Sequence, residues 1–310
     1  MPDNLILFNK FNKLATLAKA TKIRRLLHNP IRYVSAQLFL KLIYPINKKG
    51  KIVAAKTFYD TPMELVLPAA TDIFLIGGKS HESEIRLTHW LLKTLNEGDV
   101  FVDIGAHYGY FTLMASQLVG EKGKVFAYEA AQSTYQILKN NTIQSANIVI
   151  KHTAVTNAQS PIAFYEFPVL YSEYNTLDVE QFNQATWFKK NPPKKIEVST
   201  TLLGDIINNH HPNIIKIDVE GAEYQVIASA KNVLSYSSPI IIMEYLHDER
   251  HNEQHNAAQQ LLAQFKYSAH IILDDGTLQP CGDIKSYLHA RKLTSDNIIF
   301  IKNCNSFKKV

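Results

Sequence analysis

Residues 100–115 read VFVDIGAHYGYFTLMA, and this stretch decides the fold. It opens on the apolar run Val100-Phe101-Val102, the pattern of a buried parallel strand. Asp103 follows, then a turn carrying Gly105 and Gly109, then apolar residues at helical spacing. A strand, a glycine-bearing turn and a helix start together form a cradle for a nucleotide cofactor. The glycines let a ligand approach the backbone, and the helix start presents free N–H groups. The G-x-x-x-G spacing differs from the G-x-G-x-x-G of dinucleotide enzymes, and no Gly-Lys-Ser/Thr follows to make a phosphate loop.

Working outward, residues 124–129 (KVFAYE) read as a second strand ending in Glu129. Glu129 lies 26 positions beyond Asp103, somewhat past the usual separation for a ribose-binding acid. A carboxylate there can accept hydrogen bonds from both ribose hydroxyls; the plainer reading is a solvated strand end. A helix over residues 132–144 and a strand over 148–152 continue the alternation, which predicts a parallel, doubly wound sheet. Upstream, residues 81–95 (HESEIRLTHWLLKTL) have helical spacing. Glu82 and Glu84 sit in the first turn of that helix, where carboxylates suit the helix dipole. A ligand role is the alternative, because this helix leads directly into the strand at Val100.

Downstream, residues 214–222 (IIKIDVEGA) read as a strand with Asp218 at its tip, followed by Glu220, Gly221 and Glu223 at a helix start. Residues 239–244 (PIIIME) form another buried strand tipped by Glu244, with His247 just beyond. Strand-end acids face the same crevice as Gly105, because ligands bind beyond the carboxyl ends of parallel strands. A helix over 252–265 and strands at 271–273 and 298–301 complete the pattern. Residues 161–199 break it. They begin as a strand over 161–167, then show aromatic residues, Pro192 and Pro193, and little period. A long irregular insertion in a compact domain is usually functional or mobile, and this one is the candidate flap over an acceptor.

Charge separates the N-terminus from the rest. Residues 1–59 hold twelve lysines and arginines against Asp3 alone, leaving 21 basic and 27 acidic residues for the remainder. The mildly acidic body argues against a nucleic-acid enzyme. Residues 4–27 read as an amphipathic helix with Leu7, Phe11, Leu14 and Ala18 on one face, and residues 33–44 as a second apolar helix between Pro30 and Pro45. Two readings stand side by side: an anchor lying on an anionic membrane surface, or a cap that buries its apolar face on the main domain. Residues 52–58 and 63–67 look like a hairpin around Asp60-Thr61-Pro62. No run of eighteen uncharged apolar residues predicts a spanning helix. The N-terminus lacks a signal-peptide pattern, and Cys281 and Cys304 fit neither a metal spacing nor a disulfide framework. The expectation is a cytoplasmic protein, peripheral at the inner membrane face if the N-terminus docks there.

The combination FVDIGAHYGYFT, YE, IKIDVEGAEYQVI and PIIIMEY resembles the FkbM family of S-adenosylmethionine (SAM)-dependent methyltransferases, over roughly residues 57 to 302. The resemblance implies an α/β fold with a Rossmann-like seven-stranded class I methyltransferase sheet, its last strand antiparallel and helices on both faces. Residues 1–50 would be a helical extension, 51–310 the methyltransferase domain, and the activity methyl transfer to a sugar or natural-product hydroxyl. It also implies that Asp103, Gly105 and Gly109 hold the methionine part of SAM and Glu129 its ribose, with Glu84, Ala106, His107 and Ala154 completing the cofactor site. Asp218, Glu220 and Glu223 would line the methyl-transfer crevice. Three positions depart from the family's habit: His107 stands where Asn is common, Ala130 where Pro is usual, and Gly204 precedes Asp205 where an acid is common.

The chemistry follows independently. An in-line transfer needs the two reacting atoms held about 3–3.5 Å apart, and a protonated alcohol is helped by a positioned base. Asp218, Glu220, Glu244 and His247 are the candidates for that side of the site. The acids are read as hydrogen-bond acceptors rather than metal ligands. Three functions remain open: an O-methyltransferase acting on a glycan, glycolipid or natural product; a SAM-binding or membrane-adaptor protein without turnover; and a protein or nucleic-acid methyltransferase.

Overall fold

A computed structural model describes residues 2–158, 160–183, 185–250 and 252–303. The chain opens with helices α1 (Pro2–Ala18), α2 (Lys22–His28) and α3 (Pro30–Leu38), a π-helical turn (Phe39–Ile43) and α4 (Tyr44–Asn47). A hairpin follows, β1 (Lys51–Lys56) against β2 (Pro62–Leu67), then α5 (Thr71–Ile76) and α6 (Glu82–Thr94). The first alternating half is β3 (Val100–Ile104), α7 (Tyr110–Val119), β4 (Lys124–Glu129), α8 (Gln132–Thr142) and β5 (Ile148–His152). Next come β6 (Ala154–Val155), β7 (Ile162–Glu166), β8 (Lys194–Val198) and β9 (Thr200–Thr201). The second half is α9 (Leu203–His210), β10 (Ile214–Ile217), α10 (Glu223–Ala228), α11 (Lys231–Leu234), β11 (Ile240–Leu246) and α12 (Glu253–Gln264). It ends with β12 (Tyr267–Ile272), β13 (Leu278–Pro280), α13 (Ile284–Arg291) and β14 (Ser295–Lys302).

Eight strands form one sheet in the order β13-β12-β14-β11-β10-β3-β4-β5. Strands β3, β4, β5, β10 and β11 run parallel, and β14 is antiparallel to both β11 and β12. This is the expected Rossmann-like α/β sheet with one addition, the short edge strand β13 that pairs with β12. The order reverses between β3 and β10, which places the ligand crevice beyond the carboxyl ends of these two strands.

Alternation along the strands builds two cores. Phe101, Val125, Ile214, Ile242 and Ile299 face one side and pack with α6 and α7. Val102, Ile215, Ile217, Ile241, Met243 and Phe300 face the other and pack with α9, α10 and α12. Strands buried on both faces need apolar residues at every position, which explains their continuous hydrophobic runs.

The N-terminal helices differ in packing. The face of α1 carrying Leu7, Phe11, Leu14 and Ala18 is buried in the same core as Met63, Leu87, Trp90 and Met114. Lys10 of this helix also pairs with Asp60 of the hairpin turn. The predicted 4–27 helix breaks after Ala18, where Thr21 caps α2 by accepting a hydrogen bond from Arg24 N–H. No helix among the described residues is long and apolar enough to cross a membrane. Cys281 is free and half-buried; Cys304 lies outside the described residues.

The insertion is less irregular than its sequence. Strands β7 and β8 pair antiparallel from Ile162↔Val198 to Glu166↔Lys194. Between them three 3₁₀ turns gather Phe167, Tyr171, Tyr174, Phe182 and Trp187 into an aromatic cluster, with Tyr171 stacked on Trp187 at 4.3 Å. These side chains give the segment a small core of its own.

Candidate active site

A cavity of about 350 Å³ opens at the carboxyl ends of β3, β4, β10 and β11. Its floor is the turn after β3. Gly105 adopts φ +80°, and a Cβ there would stand 1.8 Å from the carbonyl oxygen of Asp218. Glycine is required because the turn must pass this close to β10. Gly105 and Ala106 both donate their N–H groups to the Tyr128 carbonyl, at 2.9 and 3.1 Å.

Glu129 organises the rest of the turn. Its Oε2 accepts the His107 N–H at 2.8 Å, and its Oε1 accepts the Ala131 N–H at 2.9 Å and the Thr134 hydroxyl at 2.8 Å. Burial nonetheless holds its pKa above the usual carboxylate value. A carboxylate has about four acceptor positions. Three are taken, so one remains for a ligand, where the sequence reading allowed two. The half-buried His107 ring contacts Ser172 Oγ at 3.0 Å, and desolvation lowers its pKa to about 4, so it is neutral at physiological pH.

The opposite wall is acidic. Lys216, buried within β10, pairs with Asp218 at 2.8 Å and lies 3.9 Å from Asp103. Asp103 itself is fully buried and accepts the Thr112 hydroxyl at 2.6 Å. Carboxyl oxygens of Asp218, Glu220 and Glu244 all lie within 4.8 Å of one another. Burial, and then the Asp218 charge, raise the pKa of Glu244 to about 7. Burial followed by repulsion from Glu244 raises Glu220 well above its normal value. Glu220 Oε2 has no hydrogen-bond partner among the described residues. Three neighbouring acids cannot all ionise at little cost, so the cluster holds a proton near neutral pH.

The insertion supplies the third wall through Phe164, Ser172, Glu173, Tyr174 and Asn175. It is bolted to the acidic turn: Thr176 Oγ1 and Gln181 Nε2 each donate to the Glu220 carbonyl at 2.6 Å. Lys79 ties the same insertion to α6, reaching Glu173 at 2.9 Å and Glu84 at 3.0 Å. Burial pushes the Glu84 pKa up to about 7.

The cavity thus collects Glu84, Gly105, Ala106, His107, Glu129, Ala154, Asp218, Glu220 and Glu244 from the sequence reading. Four expected residues lie elsewhere. Asp103 sits beneath the cavity floor as a partner of Lys216 and Thr112. Gly109 precedes α7 and packs toward Leu138. Glu223 turns back to its own helix start, accepting the Gly221 N–H at 3.1 Å, and faces the buried His255 at 3.2 Å. His247 points away toward Asp248 and His289 on the outer surface.

Sequence reasoning missed Lys79, Glu173, Lys216 and Arg250, all of which line the cavity. Only Lys216 carried a signal, a lysine inside the otherwise apolar strand Ile214–Ile217. Six lining carboxyl groups against Lys79, Lys216 and Arg250 make a site suited to a cationic ligand.

The chain is similar to known proteins. The methyltransferase FkbM domain matches residues 103–269. A curated relative, the hexuronic acid methyltransferase AglP of Haloferax volcanii, is 23% identical over 168 residues, covering 53% of this chain and 62% of its own length. The chain therefore spans less than two thirds of that relative. Among solved structures, similarity extends to a SAM-dependent O-methyltransferase from Thermotoga maritima (13% identity, TM-score 0.40, 85% of this chain and 82% of that one). It extends also to a precorrin-6y C5,15-methyltransferase from Geobacter metallireducens (13% identity, TM-score 0.38, 71% of this chain and 88% of that one). With its match running from Asp103 at the end of β3 through the Asp218–Glu223 turn and on into β12, the chain belongs to the FkbM methyltransferase family.

Proposed function

We propose that this protein is a SAM-dependent O-methyltransferase whose acceptor is a hydroxyl group of a glycan, glycolipid or natural product. One observation carries the reading: a single cavity joins the Gly105 turn and Glu129 to the carboxyl groups of Glu220 and Glu244. The residues fit the cofactor. Gly105, Ala106 and His107 line the cavity, Glu129 keeps one acceptor position for a ribose hydroxyl, and the acidic lining suits a sulfonium. SAM, when bound, supplies a methyl group made electrophilic by the positive charge on its sulfur.

The chain's own residues do the remaining work. Glu244, with a pKa near 7, is matched to accept a proton from an acceptor hydroxyl at neutral pH. Glu220, whose Oε2 has no hydrogen-bond partner among the described residues, can hydrogen-bond the acceptor. Asp218 is already engaged by Lys216 at 2.8 Å, so it orients rather than takes a proton. The insertion walls the site and excludes water. The name of the curated relative, a hexuronic acid methyltransferase, supports a sugar acceptor, and the acidic body opposes a nucleic acid.

The test is incubation with methyl-tritiated SAM and fractionated cell extracts. Label is expected in a glycan or glycolipid fraction and resistant to alkali, as a methyl ether is and a methyl ester is not. Label in protein or nucleic acid, label released by alkali, or SAM bound with no transfer to any fraction would each overturn the reading.

A further inference from the structure

With the α1 face buried, a different apolar surface remains uncovered. Of the sixteen large hydrophobic side chains exposed among the described residues, eight fall between residues 23 and 46. Ile31, Val34, Leu38, Leu42 and Ile46 recur at spacings of three and four, one continuous stripe along α3, the π-helical turn and α4. Exposure along it reaches 82% at Ile31, 60% at Leu42 and 86% at Ile46. Ile23 and Leu27, one helical turn apart on α2, are 70% and 75% exposed.

The opposite side of the same helices is anchored. Ala36, Phe39 and Tyr44 are buried, and Arg32 reaches the Phe74 carbonyl at 3.1 Å. The stripe is therefore held outward by a packed inner face and is not a helix awaiting its core. Exposed Lys22, Arg24, Lys41 and Lys49 flank it, and no acidic residue occurs from position 4 to 59.

We propose that this stripe seats the protein on an anionic lipid surface, lying in the interface without crossing it. Aliphatic side chains on one face with cations at the margins match acyl chains beneath negative headgroups. A second copy of this chain fits poorly, since it would press two strongly basic surfaces together. The seat is also coupled to the cavity wall. The Tyr44 hydroxyl accepts the Leu170 N–H at 3.1 Å, and Lys48 donates to the Lys190 carbonyl at 2.8 Å, both in the insertion.

The inference is independent of methyl transfer and is tested without turnover. The full chain is sedimented with phosphatidylcholine vesicles and with vesicles containing phosphatidylglycerol. Binding is expected to be about tenfold or more stronger to the anionic vesicles and weakened by salt. The double variant Ile31→Asp with Leu38→Asp changes only exposed positions. It should keep its melting temperature and lose vesicle binding by about tenfold or more. Equal binding to both vesicles, no binding, or a double variant that binds like the parent overturns the proposal. So does a dimer of the parent that the double variant dissolves, which would assign the stripe to a second copy.

Discussion

Gly105→Ala is expected to cost about 2–5 kcal/mol of stability, combining the left-handed backbone and an overpacked contact, and to abolish SAM binding. The added Cβ would stand 1.8 Å from the Asp218 carbonyl oxygen. That oxygen belongs to backbone, and the adjacent Asp218 N–H is bonded to the Ile104 carbonyl at 3.0 Å. Relief therefore requires parting β3 from β10 at the cavity floor. A side chain at Gly105 would thus act on the strand tips first and on the cofactor through them. Gly98→Ala is the control: Gly98 has φ +92° with nothing within 4 Å, so only the backbone cost of about 1–2 kcal/mol applies. Chemical denaturation of both variants decides the matter. Equal losses at the two positions would show that the approach to Asp218 is not what selects glycine.

Glu244→Gln is expected to lower kcat by about a hundredfold to ten-thousandfold, the usual range for a lost general base, with SAM affinity changed less than about tenfold. The parent rate should rise with pH through a limb near 7, because Glu244 accepts a proton only once ionised. The variant should lack that limb. Stability supplies a second readout. A carboxyl whose pKa rises on folding from 4.5 to about 7 binds its proton more tightly in the folded state. Its contribution is fully present below about pH 4.5 and is lost as the pH climbs through 7. Glutamine cannot ionise, so the variant should be more stable than the parent at pH 8 and equal to it near pH 4. A variant with normal turnover would instead direct attention to Glu220 or to the Asp218–Lys216 pair.

The sheet was legible because its strands are buried on both faces and read as apolar runs ending in acids. Val100–Ile104, Ile214–Ile217 and Ile240–Leu246 are found where the pattern put them. The helix at Thr71–Ile76, the edge strand Leu278–Pro280 and the helix Ile284–Arg291 were not anticipated. Each is eight residues or shorter, too brief for its period to stand out. The insertion was recognised as a break, but its aromatic cluster is made by contacts between turns, which no local spacing encodes.

Site residues divide along the same line. Strand-end residues and the Gly105 turn could be placed because topology fixes where they emerge. The direction of each side chain could not. Glu223 and Glu220 are three apart, yet one turns back to the Gly221 N–H beside His255 and the other lines the cavity. Lys79 and Glu173 meet at 2.9 Å across 94 positions of sequence, a pairing that only the folded insertion creates. The apolar face read at Leu7, Phe11 and Leu14 is buried, and a second apolar face lies open at Ile31 and Leu38.

Titration calorimetry of SAM into the full chain and into Glu129→Gln tests most directly whether this cavity is the methyl-donor site. Glutamine keeps the shape, but it removes the charge and sets an amide N–H₂ against one of the N–H donors that Glu129 accepts from His107 and Ala131. The parent should bind one SAM per chain, and the variant should bind it at least about tenfold more weakly while keeping its helical circular dichroism. A parent that takes up no SAM, or a variant with unchanged affinity, would contradict the placement of the cofactor against Glu129.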